Sequence, residues 1–118
     1  MLSINPTLVV RDKPYSKEEL MEALRLAISA ELDAISLYEQ MARFSPDENC
    51  KKIFLDVARE EKAHVGEFLA LLLTMDSEQV SELKSGFREV EEKTGIKTAL
   101  DGGDQIANTP SAADIVVG

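Results

Sequence analysis

Residues 53–72 read Ile53-Phe54-Leu55-Asp56-Val57-Ala58-Arg59-Glu60-Glu61-Lys62-Ala63-His64-Val65-Gly66-Glu67-Phe68-Leu69-Ala70-Leu71-Leu72. Ile53, Phe54, Val57, Ala58, Val65, Phe68, Leu71 and Leu72 recur at three- and four-residue steps, the spacing of one face of an α-helix. Glu61 and His64 fall on that same face, between Val57 and Phe68, whereas Glu60, Lys62 and Glu67 point elsewhere. An unpaired carboxylate on a buried stripe costs on the order of several kcal/mol, comparable to the stability of a whole small domain. The stretch therefore predicts a long core-facing helix and, with it, something that compensates buried charge.

Working outward, Ser45-Pro46-Asp47-Glu48 has the form of a helix start, with Ser45 as cap, Pro46 in the first helical position and Glu48 completing a capping box. The helix is expected to end near Thr74. Upstream, Ser16-Lys17-Glu18-Glu19 is a second capping box. From there Leu20, Leu24, Ala27, Ile28, Ala34, Ile35, Tyr38 and Met41 keep helical spacing to about Phe44, and Glu31 lies inside the stripe. The short connection folds the two helices into an antiparallel hairpin. Glu31 precedes Ser45 by fourteen positions and Glu61 follows it by sixteen, so at about 1.5 Å per residue they stand roughly 21 and 24 Å from the turn, at nearly one height. Downstream, Asp76-Ser77-Glu78-Gln79 opens a third, shorter helix with Val80, Leu83, Phe87 and Val90 on one face, closed by Thr94-Gly95.

Three regions result: an extended arm over 1–15, broken by Pro6 and Pro14; a helical domain over 16–97; and a Gly-, Asp- and Pro-containing stretch over 98–118 that reads as linker. The last of these ends on Ile115-Val116-Val117-Gly118, which fits either a docking peptide or a piece of a longer linker. The fold class is all-α.

The chain has 118 residues, with thirteen basic and twenty-two acidic side chains and a formal charge of −9. That balance repels nucleic acid and draws cations. Cys50 is the one cysteine, so neither an intramolecular disulfide nor a thiolate-rich metal site can form; it indicates a reducing compartment or an inert buried thiol. The N-terminus lacks the pattern of a secretory signal, and no run approaches the ~20 apolar residues of a membrane span. The expected location is cytoplasmic, with neither membrane nor nucleic acid as partner.

Glu31, Glu61 and His64 thus converge at one level of one seam. A lone Glu on one helix and Glu-x-x-His on another form half the ligand set of a di-iron bundle, which uses four Glu and two His. Two copies about a twofold axis supply the whole set, and two amphipathic hairpins also need each other to bury their stripes. Carboxylate and imidazole donors suit iron or manganese, with zinc as a promiscuous occupant. Blander readings stand beside each residue. Glu31 can snorkel or pair with Arg25 or Lys62, His64 can be a hydrogen-bonded core histidine, and Tyr38, one helical repeat beyond Glu31, can be an ordinary core tyrosine rather than a redox or hydrogen-bonding neighbour of the site.

Glu31-Leu32-Asp33-Ala34 with Tyr38, then Glu60-Glu61-Lys62-Ala63-His64, resembles the encapsulated ferritins, the short ferritin-like proteins housed in encapsulin nanocompartments. The resemblance covers residues 14–100, and the opening 1–15 together with 56–64 is most similar to archaeal members fused to an encapsulin shell domain. It implies a ferritin-like subunit whose dimer completes a four-helix bundle around two iron ions, and a ring of such dimers, commonly a decamer. It also implies oxidation of Fe(II) by dioxygen for storage inside the encapsulin shell. Glu31, Glu61 and His64 take the ligand positions, Glu61 as the bridge, with Tyr38 alongside. Where some bacterial members carry an acidic residue and a Trp, this chain has Ala30 and Leu37, leaving Asp33 as a candidate on the iron-entry route. Two other functions compete: a rubrerythrin-like di-iron peroxidase, disfavoured by the lack of rubredoxin-type cysteines, and a non-catalytic interaction module stapled by metal.

Overall fold

Ser16 starts the first helix as its sequence predicts. Its side chain accepts from the Glu19 N–H at 3.1 Å, and the Glu19 carboxylate accepts from the Ser16 N–H at 3.0 Å. Arg11 reinforces the box from outside, donating to Glu19 at 2.6 and 3.0 Å while its guanidinium lies 4.6 Å from the centroid of the Tyr15 ring. The hydrogen bond from Arg11, followed by those from Ser16, lowers the Glu19 carboxyl to about 2.

This computed structural model describes Leu8 and residues 10–100. They form α1 (Lys17–Phe44), α2 (Glu48–Met75) and α3 (Ser77–Thr94), with no strand among the described residues. The arm expected over 1–15 is therefore seen only in part, and residues 101–118, which hold most of the expected linker and its apolar tip, lie outside the described residues.

The start of α2 differs from the sequence expectation. Ser45 is the C-cap of α1, its N–H donating to Ala42 O at 3.3 Å, and the N-cap of α2 is Asp47, whose carboxylate accepts from the Cys50 N–H at 3.1 Å. Pro46 explains the shift. It holds Ser45 in extended backbone, φ −75° and ψ 126°, which stops α1 and leaves the first capping geometry to the residue after the proline. Hydrogen bonds from Cys50 hold the Asp47 carboxyl below the usual range, and Asp47 in turn pushes the Cys50 thiol up. Asp47 thus stabilises the helix start at neutral pH, and its contribution is lost as pH falls through its lowered folded value. Cys50 is exposed rather than buried.

The antiparallel pairing of α1 and α2 is visible in what meets what. Near the turn Tyr38 stacks on Phe54, with centroids 6.4 Å apart and planes 17° apart. Further along, Glu31 meets His64, and at the far end Arg25 meets Asp76. Each helix has 28 residues, about 42 Å. The seam buries Leu24, Ile35 and Ala42 from α1 and Ala58 and Leu72 from α2. None of the described large side chains is fully buried, while Phe44 (80%), Ile53 (63%) and Leu71 (52%) remain exposed. Two helices enclose too little volume for a closed core, which leaves apolar surface of the kind that marks an interaction face.

Asp76 is the C-cap of α2, its N–H donating to Leu72 O at 2.9 Å, and α3 begins at the next residue. Thr94 and Gly95 end α3 as expected. Gly95 takes φ +75°, the left-handed conformation glycine adopts freely, and its N–H closes on Glu91 O at 2.8 Å.

Candidate metal centre

The hairpin brings Glu31, Glu61 and His64 together. Each offers one ligand atom, and these atoms lie within 4.8 Å of one another. His64 Nδ1 is 3.5 Å from Glu31 Oε2 and 3.5 Å from Glu61 Oε2. Both carboxylates are largely enclosed, with side chains 18% and 19% exposed, and the imidazole is the open side of the cluster at 42%. The helix repeat accounts for this. Glu61 and His64 are neighbours three apart on α2, and the tight turn sets Glu31 level with them on α1.

The arrangement lacks the hydrogen bonds of a structural polar network. Glu31 Oε2 is buried without a hydrogen-bond partner among the described residues, and one Nδ1 midway between two carboxylate oxygens satisfies neither. The two cations expected as partners for Glu31 are engaged elsewhere: Arg25 donates to Asp76 at 2.9 Å and Lys62 to Glu39 at 3.1 Å. Two carboxylates and an imidazole, with one oxygen stripped of water and unpaired, fit a divalent cation of the iron or manganese type. Three protein donors do not fill the six positions such an ion prefers, which leaves the cluster open on its imidazole side.

At about 100° per residue, Ile53, His64 and Leu71 fall on one side of α2, so exposed apolar side chains share the imidazole's side of the helix about 16 Å toward the turn and about 10 Å away from it. Tyr38 lies seven positions after Glu31 and Phe54 seven before Glu61, so their stack sits one heptad, about 10 Å, nearer the turn. Tyr38 is half-buried against that ring and is not one of the three converging groups. His64 is not a buried core histidine. Sequence reasoning missed the two interhelical pairs, Glu39–Lys62 and Arg25–Asp76. Their signal was present in opposite charges on one flank of the hairpin, each acidic or basic group of α1 leaning toward its counterpart on α2.

A family model described as Rubrerythrin matches residues 22–104. The chain is also 30% identical over 117 residues to the encapsulin nanocompartment cargo protein EncC of Myxococcus xanthus, covering 98% of this chain and 90% of that one. The chain belongs to the rubrerythrin family, among the encapsulated ferritins. It is 75% identical over 101 residues to the ferritin-like–encapsulin shell fusion protein of Pyrococcus furiosus, 86% of this chain but 29% of that relative's length. The crystal structure of the encapsulated ferritin domain from the same organism superposes with a TM-score of 0.75 at 76% identity, covering 83% of this chain and all of that one. Encapsulated-ferritin membership and the all-α, ferritin-like fold agree with the sequence resemblance. No described helix is long and apolar enough to cross a membrane.

Proposed function

We propose that this encapsulated ferritin is a ferroxidase. Two copies pair across the open side of the hairpin, and their Glu31, Glu61 and His64 together hold two iron ions. The observation that carries this reading is the buried, unpartnered Glu31 oxygen in a three-donor cluster whose imidazole opens between exposed Ile53 and Leu71. A twofold partner on that flank covers the apolar surface and doubles the donors to the four Glu and two His of a complete di-iron bundle.

The residues then divide the work. Bound iron supplies the redox chemistry, with each Fe(II) losing one electron to dioxygen. The four carboxylates favour the ferric product through their charge. The two imidazoles provide neutral nitrogen donors at the seam between the two chains. Leu71, Ile53 and their symmetry mates exclude water, which strengthens every charge interaction inside. Tyr38, one heptad along the seam, has a supporting role through its hydroxyl. The protein's −9 charge raises the local concentration of cationic substrate.

We further propose that the oxidised iron passes to an encapsulin compartment that encloses rings of these dimers, consistent with relatives that are encapsulin cargo proteins and a shell fusion. Aerobic addition of Fe(II) tests the catalytic claim. Oxygen uptake should continue through many equivalents of iron per dimer, whereas a burst that stops at two would reduce the metal to a staple.

A further inference from the structure

Two interhelical ion pairs lie near the three ligands without belonging to them. Lys62 Nζ lies 3.1 Å from Glu39 Oε2, and Arg25 Nη2 lies 2.9 Å from Asp76 Oδ2. Arg25 and Glu39 stand on either side of Glu31 along α1, and both pairs occupy the flank opposite His64 by the helical repeat. They differ in quality. The Lys62 and Glu39 side chains are 58% and 43% exposed, a geometry in which ion pairs contribute little, whereas Arg25, itself 47% exposed, reaches an Asp76 side chain that is only 18% exposed.

Asp76 has a further reason to need Arg25. It is the C-cap of α2, beside the negative end of a helix with no basic residue in its last turn, and it also directly precedes α3, whose N-terminus favours a carboxylate. Arg25 brings a cation to the end of α2 from α1. The mechanical consequence follows from where the hairpin is tied. The turn joins the helices covalently at one end only, and beyond the ligands the seam is held by buried Leu24 and Leu72; the ligands stand roughly 20 Å from the turn, so a splay of about 3° separates Glu31 from His64 by about 1 Å. A metal site tolerates about half that error.

We infer that Arg25 and Asp76 are positioning residues for the metal centre: a clasp at the open end of the hairpin that holds the spacing between Glu31 on α1 and Glu61 and His64 on α2. The inference rests on the proposed metal reading. Co(II), whose visible absorption reports its ligand geometry, is the probe, titrated into the full chain and into Arg25→Ala and Arg25→Lys with helix content monitored by circular dichroism. Arg25→Ala should keep its helices, bind Co(II) about threefold to tenfold more weakly and show an altered band, and Arg25→Lys should restore affinity to within about twofold. Wild-type affinity and spectrum in Arg25→Ala, or a lysine variant as impaired as the alanine one, would overturn the clasp while leaving the metal reading intact. A wild-type chain that takes up no Co(II) would overturn both.

Discussion

Replacing Glu31 should move stability and activity in opposite directions. Its Oε2 is buried without a hydrogen bond, so the metal-free chain carries a desolvated, unsatisfied acceptor worth about 1–3 kcal/mol. Glu31→Leu fills the same place in the seam with an apolar side chain of similar size. The metal-free protein should then melt higher, by about 4–8 °C per kcal/mol gained for a domain of this size. The same substitution removes one donor from each half-site, and Fe(II) oxidation should fall by at least about a hundredfold. Glu31→Ala, Glu61→Ala and His64→Ala should show comparable losses of rate. Tyr38→Phe, which keeps the stack on Phe54 and loses only the hydroxyl, should cost much less. Adding iron should reverse the order of melting temperatures, because binding free energy stabilises only the chain that binds. A gain in stability with loss of function is the signature of a residue held in place for chemistry rather than packing. If all three alanine variants oxidised Fe(II) at the wild-type rate, the ligand assignment would be wrong.

Leu71→Asp should separate the subunits without unfolding them. Leu71 is 52% exposed in the hairpin, so a carboxylate there costs the isolated subunit little. In the proposed pair the position is buried in the seam about 10 Å from His64, and an aspartate there loses the apolar contact and buries an uncompensated charge facing its own symmetry mate's side of the seam. The combined penalty is about 3 kcal/mol or more, which weakens dimerisation by over about a hundredfold. The expected outcome is a helical species of halved mass by native mass spectrometry, with oxidation lost although every ligand is present. A Leu71→Asp protein that remains dimeric would place the interface elsewhere.

The sequence made the geometry of the hairpin legible because two independent periodicities agree there. The apolar stripe of α2 carries Glu61 and His64 inward, and the turn length sets Glu31 opposite them; both follow from the helix repeat and require no knowledge of side-chain contacts. The start of α2 was harder to read because Ser45 and Asp47 are both good caps two residues apart, and the choice depends on how Pro46 restricts the residue before it. The fate of Arg25 was hidden for a different reason. Glu31 and Asp76 are both carboxylates within its reach by sequence, and only the flank on which each one lies decides between them. Exposure of Cys50 was equally out of reach, since it depends on where the turn directs the first residues of α2.

The central claim is that two chains share one pair of metal ions. Crystals of the protein soaked in Fe(II), with anomalous scattering measured at the iron edge, test it most directly. Two iron peaks are expected on a pair of hairpins related by a twofold axis, each peak within bonding distance of Glu31, Glu61 or His64 side chains from both chains. Iron held by the donors of a single hairpin, or no iron peak at these residues, would contradict it.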